Sequence, residues 1–243
     1  MRIALALLLV IACKDKPPGP CERGGTIEIR EVDNNAEFSK RLYAHVGAEG
    51  RTSEPTDPAA VAAGVRAEVD QWRRYTDTDE DELPVEPGPT QTDYYVFAYD
   101  RDALAKYLAA YDKPPDDREI LFEHVVPSID AKDPRPYWRS YYVVKQPIVT
   151  TSAVADVFAL EDPNTARPIL GVLLTEEGRE AFRQATERAG KVGKKLATLV
   201  DGAVMSAPIV NGAIPGGRFT IRTPVGANEA LREKLQCVTS RAR

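Results

Sequence analysis

Residues 193–217, GKKLATLVDGAVMSAPIVNGAIPGG, contain the pattern that decides the fold of this chain. Two apolar runs, Leu196–Val200 and 203–210, flank the dipeptide Asp201-Gly202, which is a strong signal for a two-residue β-hairpin. Pro208 cannot donate a main-chain hydrogen bond, so we expect it to lie at a sheet edge or at a bulge. The segment therefore predicts two antiparallel strands followed by a Pro-Gly-Gly corner, and it contains no catalytic motif.

Strand and helix periodicities alternate on both sides of this hairpin. Strands are predicted at residues 26–32, 94–99, 118–125, 137–145, 155–160, 169–174 and 218–222. Thr175 is a favoured N-cap, so a helix is predicted to begin there and to end at Gly190. Shorter helices are predicted at 34–46, 100–111 and 228–236. This order indicates an α+β fold of ferredoxin-like β-α-β units with an antiparallel sheet.

A further helix is predicted from residue 58 onward. Asp57 is a favoured N-cap residue, and the proline after it is favoured at the first helical position. Apolar residues then recur at helical spacing, so we expect one face of this helix to pack on a core. Those residues are Val61, Val65, Val69 and Trp72.

The N-terminal residues have the composition of an export signal. Arg2 is followed by an apolar run that is far shorter than the roughly 20 residues of a membrane-spanning helix. A small residue precedes Cys13, as in bacterial lipoprotein signals, so residues 1–12 are predicted to be cleaved and Cys13 to carry lipid. The alternative is an ordinary signal peptide with an incidental cysteine. Because Lys14 rather than Asp follows, nothing marks the chain for the inner membrane, and the outer membrane is favoured.

Residues 13–25 are polar and rich in proline and glycine, so they are predicted to form a flexible tether rather than a core. Residues 26–240 are predicted to form the globular body, because 243 residues suit one domain or two small lobes. The net charge of −5 does not favour nucleic acid, whose phosphates attract clustered Lys and Arg.

The chain has three cysteines. If Cys13 carries lipid, Cys21 and Cys237 remain, and exported proteins keep disulfides. We therefore predict a Cys21–Cys237 disulfide that ties the tether to the last helix; the alternative is two unrelated thiols. There is no C-x-x-C, and His45 and His124 stand alone in the sequence, so no metal site is predicted.

Residues 76–93 are acidic and rich in proline and are predicted to form a loop. Three aspartates alternate in this segment as they do in a calcium-binding EF-hand. The sixth position of that pattern, Glu82, is not glycine, and the twelfth, Gly88, is not glutamate. A solvated loop is therefore favoured over a calcium site.

Eight of the ten tyrosines lie between Tyr94 and Tyr142. Amphipathic rings on a sheet could bind extended peptide, and the candidate surface comprises Tyr94, Tyr95, Tyr141 and Tyr142. Packing between neighbouring strands is the favoured alternative, because aromatic pairs stabilise sheets.

Residues 167–221 resemble the head subdomain of the first periplasmic domain of SecD and SecDF, the membrane partner of the Sec export channel. The residues that carry the resemblance are Arg167, Pro168, Gly193, Asp201, Gly202, Ser206, Ala207, Pro208, Pro215, Gly216 and Gly217. The best match spans 150–237, and weaker similarity extends over most of 26–236. Residues 47–93 are an elaboration outside the family pattern, and the usual Thr-Gly-Asp-Asp is replaced at 150–153 by Thr-Thr-Ser-Ala.

The resemblance implies a SecDF-head-like fold and a noncatalytic role in protein export. The implied partners are unfolded or translocating polypeptide and the Sec machinery, and no cofactor is implied. SecD carries six transmembrane helices that have no counterpart in this sequence. We therefore expect a lipid-anchored binding module of the bacterial cell envelope that faces the periplasm, with a sheet edge near Ala207-Pro208 or the tyrosine-rich strands as its binding surface.

Two other functions remain open. A structural or assembly lipoprotein would dock a folded envelope partner through residues 47–93. A hydrolase is less favoured, because Ser206 lacks a G-x-S-x-G setting and two isolated histidines are poor candidates for a general base.

Overall fold

The computed structural model describes residues 25–47, 50–51, 53–73, 90–128, 130–163, 168–222 and 228–241. Its strands are β1 (Ile27–Glu31), β2 (Arg66–Arg73), β3 (Thr90–Ala98), β4 (Arg118–Val125), β5 (Tyr137–Val144), β6 (Val149–Thr150), β7 (Val154–Glu161), β8 (Pro168–Leu174), β9 (Leu196–Val200), β10 (Ala203–Ser206) and β11 (Arg218–Ile221). Its helices are α1 (Glu37–Val46), α2 (Pro58–Ala63), α3 (Arg101–Tyr111), α4 (Glu176–Val192) and α5 (Asn228–Arg241).

The strands form two sheets. The larger has the order β2-β3-β5-β4-β10-β9-β1-β6, and the smaller has the order β11-β8-β7. The neighbouring strands pair antiparallel, except that β10 and β4 are parallel. The predicted α+β class with an antiparallel sheet is therefore confirmed.

The larger sheet curls back on itself. A bridge between Val32, just after β1, and Val143 on β5 joins parts of the chain that are not neighbours in the strand order. Residues from β5, β9 and β10 share one buried apolar cluster with Val32, and Leu121 of β4 packs against it. The sheet thus closes toward a small barrel at this end.

Helices cover the remaining apolar surfaces. One core lies between α1, α2, α3 and the strands β2, β3 and β5, and includes Leu42, Leu104 and Tyr142. Another joins α4 and α5 to the smaller sheet and to β1 and β9, and includes Phe182 and Leu235. Both cores exclude water from one helical stripe and one sheet face, which is how such elements are stabilised.

The predicted hairpin at Asp201-Gly202 is confirmed. Asp201 has φ 49° and Gly202 has φ 77°, and two positive φ values in a two-residue loop are typical of a type I′ turn. β10 is shorter than predicted and lies inside the sheet, between β9 and β4. Its register shifts between Val204 and Ser206. Pro208 lies beyond the end of β10, just after this irregularity, and its carbonyl accepts a hydrogen bond from the N–H of Leu196.

The helix predicted from residue 58 is wrong beyond Ala63. Gly64 has φ 64°, a left-handed conformation that ends helices, and its N–H bonds to the carbonyls of Ala60 and Val61. The chain continues as β2, which pairs with β3 along its whole length. A spacing of four residues also keeps side chains on one face of a strand, so the valine pattern fits both structures.

The predicted N-caps of the longer helices are confirmed. Asp100 accepts a hydrogen bond from the N–H of Ala103, and Thr175 accepts one from that of Gly178. Helix α4 runs past Gly190 to Val192 and ends at the left-handed Gly193, so the predicted end at Gly190 is wrong. No helix in the described residues is both long enough and apolar enough to cross a membrane.

Candidate functional site

Four charged side chains meet between the β2–β3 hairpin and the rest of the larger sheet; three of them are buried, and the fourth, Asp70, is partly exposed. Asp70 on β2 and Asp93 on β3 are directly opposite each other, Arg139 is on β5, and Lys195 immediately precedes β9. We define these four residues as the ion-pair cluster. Asp93 is 2% exposed, and Arg139 and Lys195 are each 8% exposed, so charges of both signs are held away from water.

Asp93 is the centre of the ion-pair cluster. Its Oδ2 accepts hydrogen bonds from Arg139 Nη2 at 2.6 Å and from Lys195 Nζ. Asp70 Oδ2 lies 2.8 Å from Arg139 Nη1 and 3.7 Å from Lys195 Nζ. Two carboxylates thus neutralise two cations. Because an unpaired buried charge is costly, each member depends on the others.

Aromatic rings enclose the two cations. The guanidinium carbon of Arg139 lies 3.5 Å from the ring centroid of Tyr95 and 5.0 Å from that of Tyr141. Lys195 Nζ lies 4.6 Å from the ring centroid of Trp72, whose indole N–H donates to the Gly193 carbonyl at 2.9 Å. These cation–π contacts add to the ion pairs and fix the positions of the rings.

Burial and charge change the pKa values in this region. Burial alone lowers the pKa of Arg139, but interactions with the surrounding acidic and phenolic groups, Tyr141 and Asp93 foremost, raise that pKa overall. Burial raises the pKa of the hydroxyls of Tyr95 and Tyr141. The Glu123 carboxylate accepts a hydrogen bond from the Tyr141 hydroxyl at 2.7 Å. Burial raises the pKa of Glu123. Arg139 therefore stays charged, and both tyrosines stay neutral, across physiological pH.

The chemistry available to the ion-pair cluster is binding and fastening rather than proton transfer. Both cations are engaged by carboxylates, and both carboxylates by cations. Among the residues that the structure describes, no three His, Cys, Asp or Glu side chains are placed to hold a metal ion. The cluster fastens the β2–β3 hairpin to the body of the sheet.

A pocket of about 160 Å³ opens beside the ion-pair cluster. It is lined by the segment that follows β1, by the adjoining ends of β2 and β3, and by the start of β9. Its polar and aromatic lining includes Asn34, Trp72, Thr92, Asp93, Lys194 and Lys195.

The pocket lies where the larger sheet splits. β3 pairs with β5 only at Phe97 and Ala98. Further toward the start of β3, the carbonyl of Asn34 accepts from the N–H of Tyr94 at 3.3 Å, while its side-chain oxygen accepts from the N–H of Tyr142 at 2.6 Å. Main-chain groups alternate in direction along a strand, so those of Thr92 face the same side as those of Tyr94. Within the described chain, no main-chain group pairs with Thr92 on that side.

The second half of β2 forms an open outer edge. The carbonyl of Ala67 accepts a hydrogen bond from the N–H of Gly50 at 2.9 Å, so the main chain of Ala67 points away from β3. By the alternation of a strand, the main chains of Val69, Gln71 and Arg73 point the same way. Among the described residues, none provides them with a main-chain partner.

The tyrosines predicted as a peptide-binding surface are mostly inside the protein. Tyr95 and Tyr141 are each 3% exposed and Tyr142 is 6% exposed, whereas Tyr94 is half-buried. Tyr142 stacks on Phe38 with ring centroids 5.0 Å apart. Packing between strands therefore accounts for these three rings, and they do not form an exposed surface. The predicted surface is corrected to that extent.

The residues of the family motif occupy turns and strand ends. Gly193 is the C-cap of α4, Ser206 ends β10, and Pro208 accepts a hydrogen bond from Leu196 N through its carbonyl. Gly217 packs so closely on Arg179 that a Cβ there would lie 2.8 Å from the side chain. Pro168 begins β8, and Arg167 lies outside the described residues.

The predicted sites at the termini remain predictions. The signal peptide, Cys13 and Cys21 fall in residues 1–24, outside the described part of the chain. Cys237 lies in α5, and only its main chain is described. Of the loop predicted at 76–93, residues 76–89 lie outside the described part of the chain. The prediction is wrong for residues 90–93, which form the start of β3.

The family comparison matches the C-terminal half of the chain. Residues 124–236 match the family model described as the SecDF P1 head subdomain. The chain resembles the SecD head subdomain. We define 124–236 as the head-matching region. It contains Arg139 and Lys195, whereas Asp70 and Asp93 lie outside it, so the ion-pair cluster joins the two parts of the chain.

Curated relatives support the same resemblance. The chain is 31% identical over 122 residues to protein translocase subunit SecD of Desulfurispirillum indicum. The aligned region covers 50% of this chain and 22% of that protein. The chain is 34% identical over 84 residues to protein translocase subunit SecDF of Thermus thermophilus, which covers 35% of this chain and 11% of that protein. The chain therefore spans about a fifth of the first relative and less of the second.

Solved SecDF structures are also similar to the chain. One, described as a membrane component that enhances protein export, has 18% identity and a TM-score of 0.35, and covers 87% of this chain and 93% of its own. SecDF in its super-membrane-facing form has the same identity and TM-score, and the match covers 89% of this chain and 28% of that one.

The ion-pair cluster was not predicted from the sequence. Asp70 falls within the helix predicted from residue 58, and Asp93 falls at the end of the predicted acidic loop. The alternation of charged and apolar residues along Arg66–Arg73 is a strand signal that could have placed Asp70 on β2. No local pattern pairs Asp93 with Lys195, which are 102 residues apart.

Proposed function

We propose that this chain is a noncatalytic binding module for extended or translocating polypeptide in the bacterial cell envelope. The observation that carries the proposal is the open outer edge of β2 in a chain whose head-matching region resembles a module of SecD. The named relatives are subunits of protein translocase. A role beside the Sec machinery is part of the proposal.

The proposed mode of binding is addition of a strand. An extended segment lying along β2 would exchange main-chain hydrogen bonds with Val69, Gln71 and Arg73. Such bonds are indifferent to side-chain sequence, which suits a module that meets many unfolded clients. Gln71 and Arg73 are exposed, so, as far as the described residues go, a peptide can reach this edge from solvent.

The proposed anchor is a lipid on Cys13 after removal of residues 1–12, with 13–25 as the tether and the outer membrane favoured. Supporting sequence features are the short apolar run and the small residue before Cys13. Growth with labelled palmitate should label the parent chain and leave the Cys13→Ser variant unlabelled. Equal labelling of both would contradict the anchor.

Polypeptide binding is tested by titrating the full chain, purified in mild detergent, into fluorescent unfolded peptides of unrelated sequence. We expect saturable binding of several peptides. Gln71→Pro removes an outward N–H and should weaken binding at least about tenfold, the equivalent of one net hydrogen bond. Gln71→Ala keeps the main chain intact and serves as the matched control. Absence of binding at high micromolar concentration would contradict the proposal.

The alternative, a structural or assembly lipoprotein, predicts a different outcome. Affinity capture of the full chain from envelope extracts should recover a spread of unfolded clients if the module binds polypeptide. Recovery of one folded partner in fixed proportion would instead favour docking. Hydrolysis of a substrate panel by the same sample would contradict the noncatalytic role.

A further inference from the structure

The pocket beside the ion-pair cluster lies at a gap in a β-sheet, not on its open face. The N–H of Tyr94 is satisfied by Asn34, but the next position of the same edge of β3, Thr92, has no main-chain partner in the described residues. The pocket is lined by Thr92 on one side and by Asn34 and Lys195 from other segments. The gap therefore presents unpaired strand groups inside the sheet.

The gap is short along β3. Asn34 closes it at Tyr94, two residues beyond Thr92, and a strand rises about 3.4 Å per residue. A segment that pairs with Thr92 would therefore stop at Tyr94.

The charges around the pocket favour a neutral ligand. Its charged lining consists of Asp33, Asp93, Lys194 and Lys195. Asp33 pairs with Arg118, and Lys194 pairs with Glu31. The other two belong to the ion-pair cluster, in which they neutralise each other. Neither an anion nor a cation would find an uncompensated opposite charge.

The open main chain of Thr92 favours a ligand that carries peptide groups. Within the described chain, its N–H and carbonyl have no main-chain partner on the side of the pocket. A peptide group is neutral and offers both an acceptor for that N–H and a donor for that carbonyl.

We propose that the gap between Thr92 and Asn34 is a second site for polypeptide main chain, which holds one extended residue at the inner edge of β3. This inference rests on the proposed function and locates a contact separate from the outer edge of β2. Gln71 and Thr92 face each other across β2 and β3, and their main chains point in opposite directions. Proline at one position or the other therefore blocks the two sites separately.

The chain has two tryptophans, which makes the pocket observable. Trp72 lines it, whereas Trp138 packs on His124 with ring centroids 4.7 Å apart, away from the lining. In a Trp138→Phe chain, emission reports Trp72 alone. The probe is an unfolded ten-residue peptide without tryptophan, acetylated and amidated at its ends, and binding is followed in parallel by anisotropy of a labelled copy.

We expect a saturable shift of Trp72 emission in the Trp138→Phe/Gln71→Pro chain, where the outer edge is blocked. Thr92→Pro in place of Gln71→Pro should abolish that shift and weaken the remaining binding about tenfold, while Thr92→Val, which keeps the N–H, should not. The Trp72→Phe chain should show no emission change.

Three results would overturn the inference. In the Gln71→Pro background, peptide binding by anisotropy with constant Trp72 emission would contradict the pocket site but leave the proposed function standing. Equal peptide affinities of the Thr92→Pro and Thr92→Val chains would have the same consequence. Absence of peptide binding by the unsubstituted full chain removes both the inference and the proposed function.

Discussion

Arg139 Nη2 lies 2.6 Å from Asp93 Oδ2 in the interior of the protein, and this contact joins the head-matching region to a strand outside it. Lys195 binds the same carboxylate from the start of β9. Strand β2 and the start of β3 fall in residues 47–93, which were predicted to be an elaboration, and this contact fixes them to the rest of the chain. The open edge of β2 depends on that attachment.

Asp93→Asn should destabilise the protein strongly. The substitution leaves Arg139 and Lys195 buried with only Asp70 to neutralise them, and breaking a buried pair costs about 3–5 kcal/mol. Urea unfolding of the full chain measures the change. The exposed pair Arg183–Glu180 offers a control, since Arg183→Gln should shift the urea midpoint far less. A cost for Asp93→Asn as small as the control would contradict this account of the cluster.

Glu123→Gln should stabilise the protein at neutral pH. Burial raises the pKa of Glu123 in the folded state, so ionisation of this group costs folding energy above the ordinary glutamate pKa of about 4.3. Glutamine stays neutral and can still accept the Tyr141 hydroxyl. The melting temperature should therefore rise at pH 7, and the difference should vanish as the pH falls below about 4.

Glu180→Gln provides the opposite sign. Hydrogen bonds from Arg183 and Gln184 lower the pKa of Glu180 to about 2. The charged form therefore favours folding, and that contribution is lost as the pH falls toward 2. The variant should melt slightly lower than the parent at pH 7.

A pH-independent difference in melting temperature between Glu123→Gln and the parent would show that the effect of Glu123→Gln is not electrostatic.

Gly190→Ala should destabilise the protein by about 1–3 kcal/mol, although alanine is the better helix former by about 1 kcal/mol. A Cβ at this position would lie 2.6 Å from the Cα of Gly212, which is main chain and cannot rotate away. Gly216→Ala, where nothing lies within 4 Å of the added Cβ, should change stability by no more than about 0.5 kcal/mol. Stabilisation by Gly190→Ala would show that the segment around Gly212 does not pack on α4.

A Cys21–Cys237 disulfide should be present in the exported protein. With Cys13 lipidated, these are the two remaining thiols in an oxidising compartment. Peptide mapping without reductant should recover the two cysteines in one cross-linked fragment. Quantitative labelling of both by a thiol reagent before reduction would contradict the pairing.

Local signals in the sequence predicted much of the fold. The turn at Asp201-Gly202 and the caps at Asp100 and Thr175 depend on a few adjacent residues, and they were predicted correctly. The Val65–Val69 spacing failed because a four-residue interval suits both a helix and one face of a strand. Pairing with β3, which lies further along the chain, decided between them.

The candidate site could not be predicted in the same way. The partners of Asp93 come from residues 46 and 102 positions away, so nothing near it in sequence reveals a buried ion pair. The tyrosines illustrate the converse. Their clustering in the sequence suggested a peptide-binding surface, but the order of the strands places Tyr95, Tyr141 and Tyr142 inside the protein.

Hydrogen exchange of the full chain with and without an unfolded peptide tests strand addition most directly. We expect the outward amides of Val69, Gln71 and Arg73 to exchange more slowly when peptide is bound, because each acquires a main-chain acceptor. The inward amides of Glu68 and Asp70, already paired with β3, serve as internal references. Bound peptide with unchanged exchange at Val69, Gln71 and Arg73 would contradict the central claim.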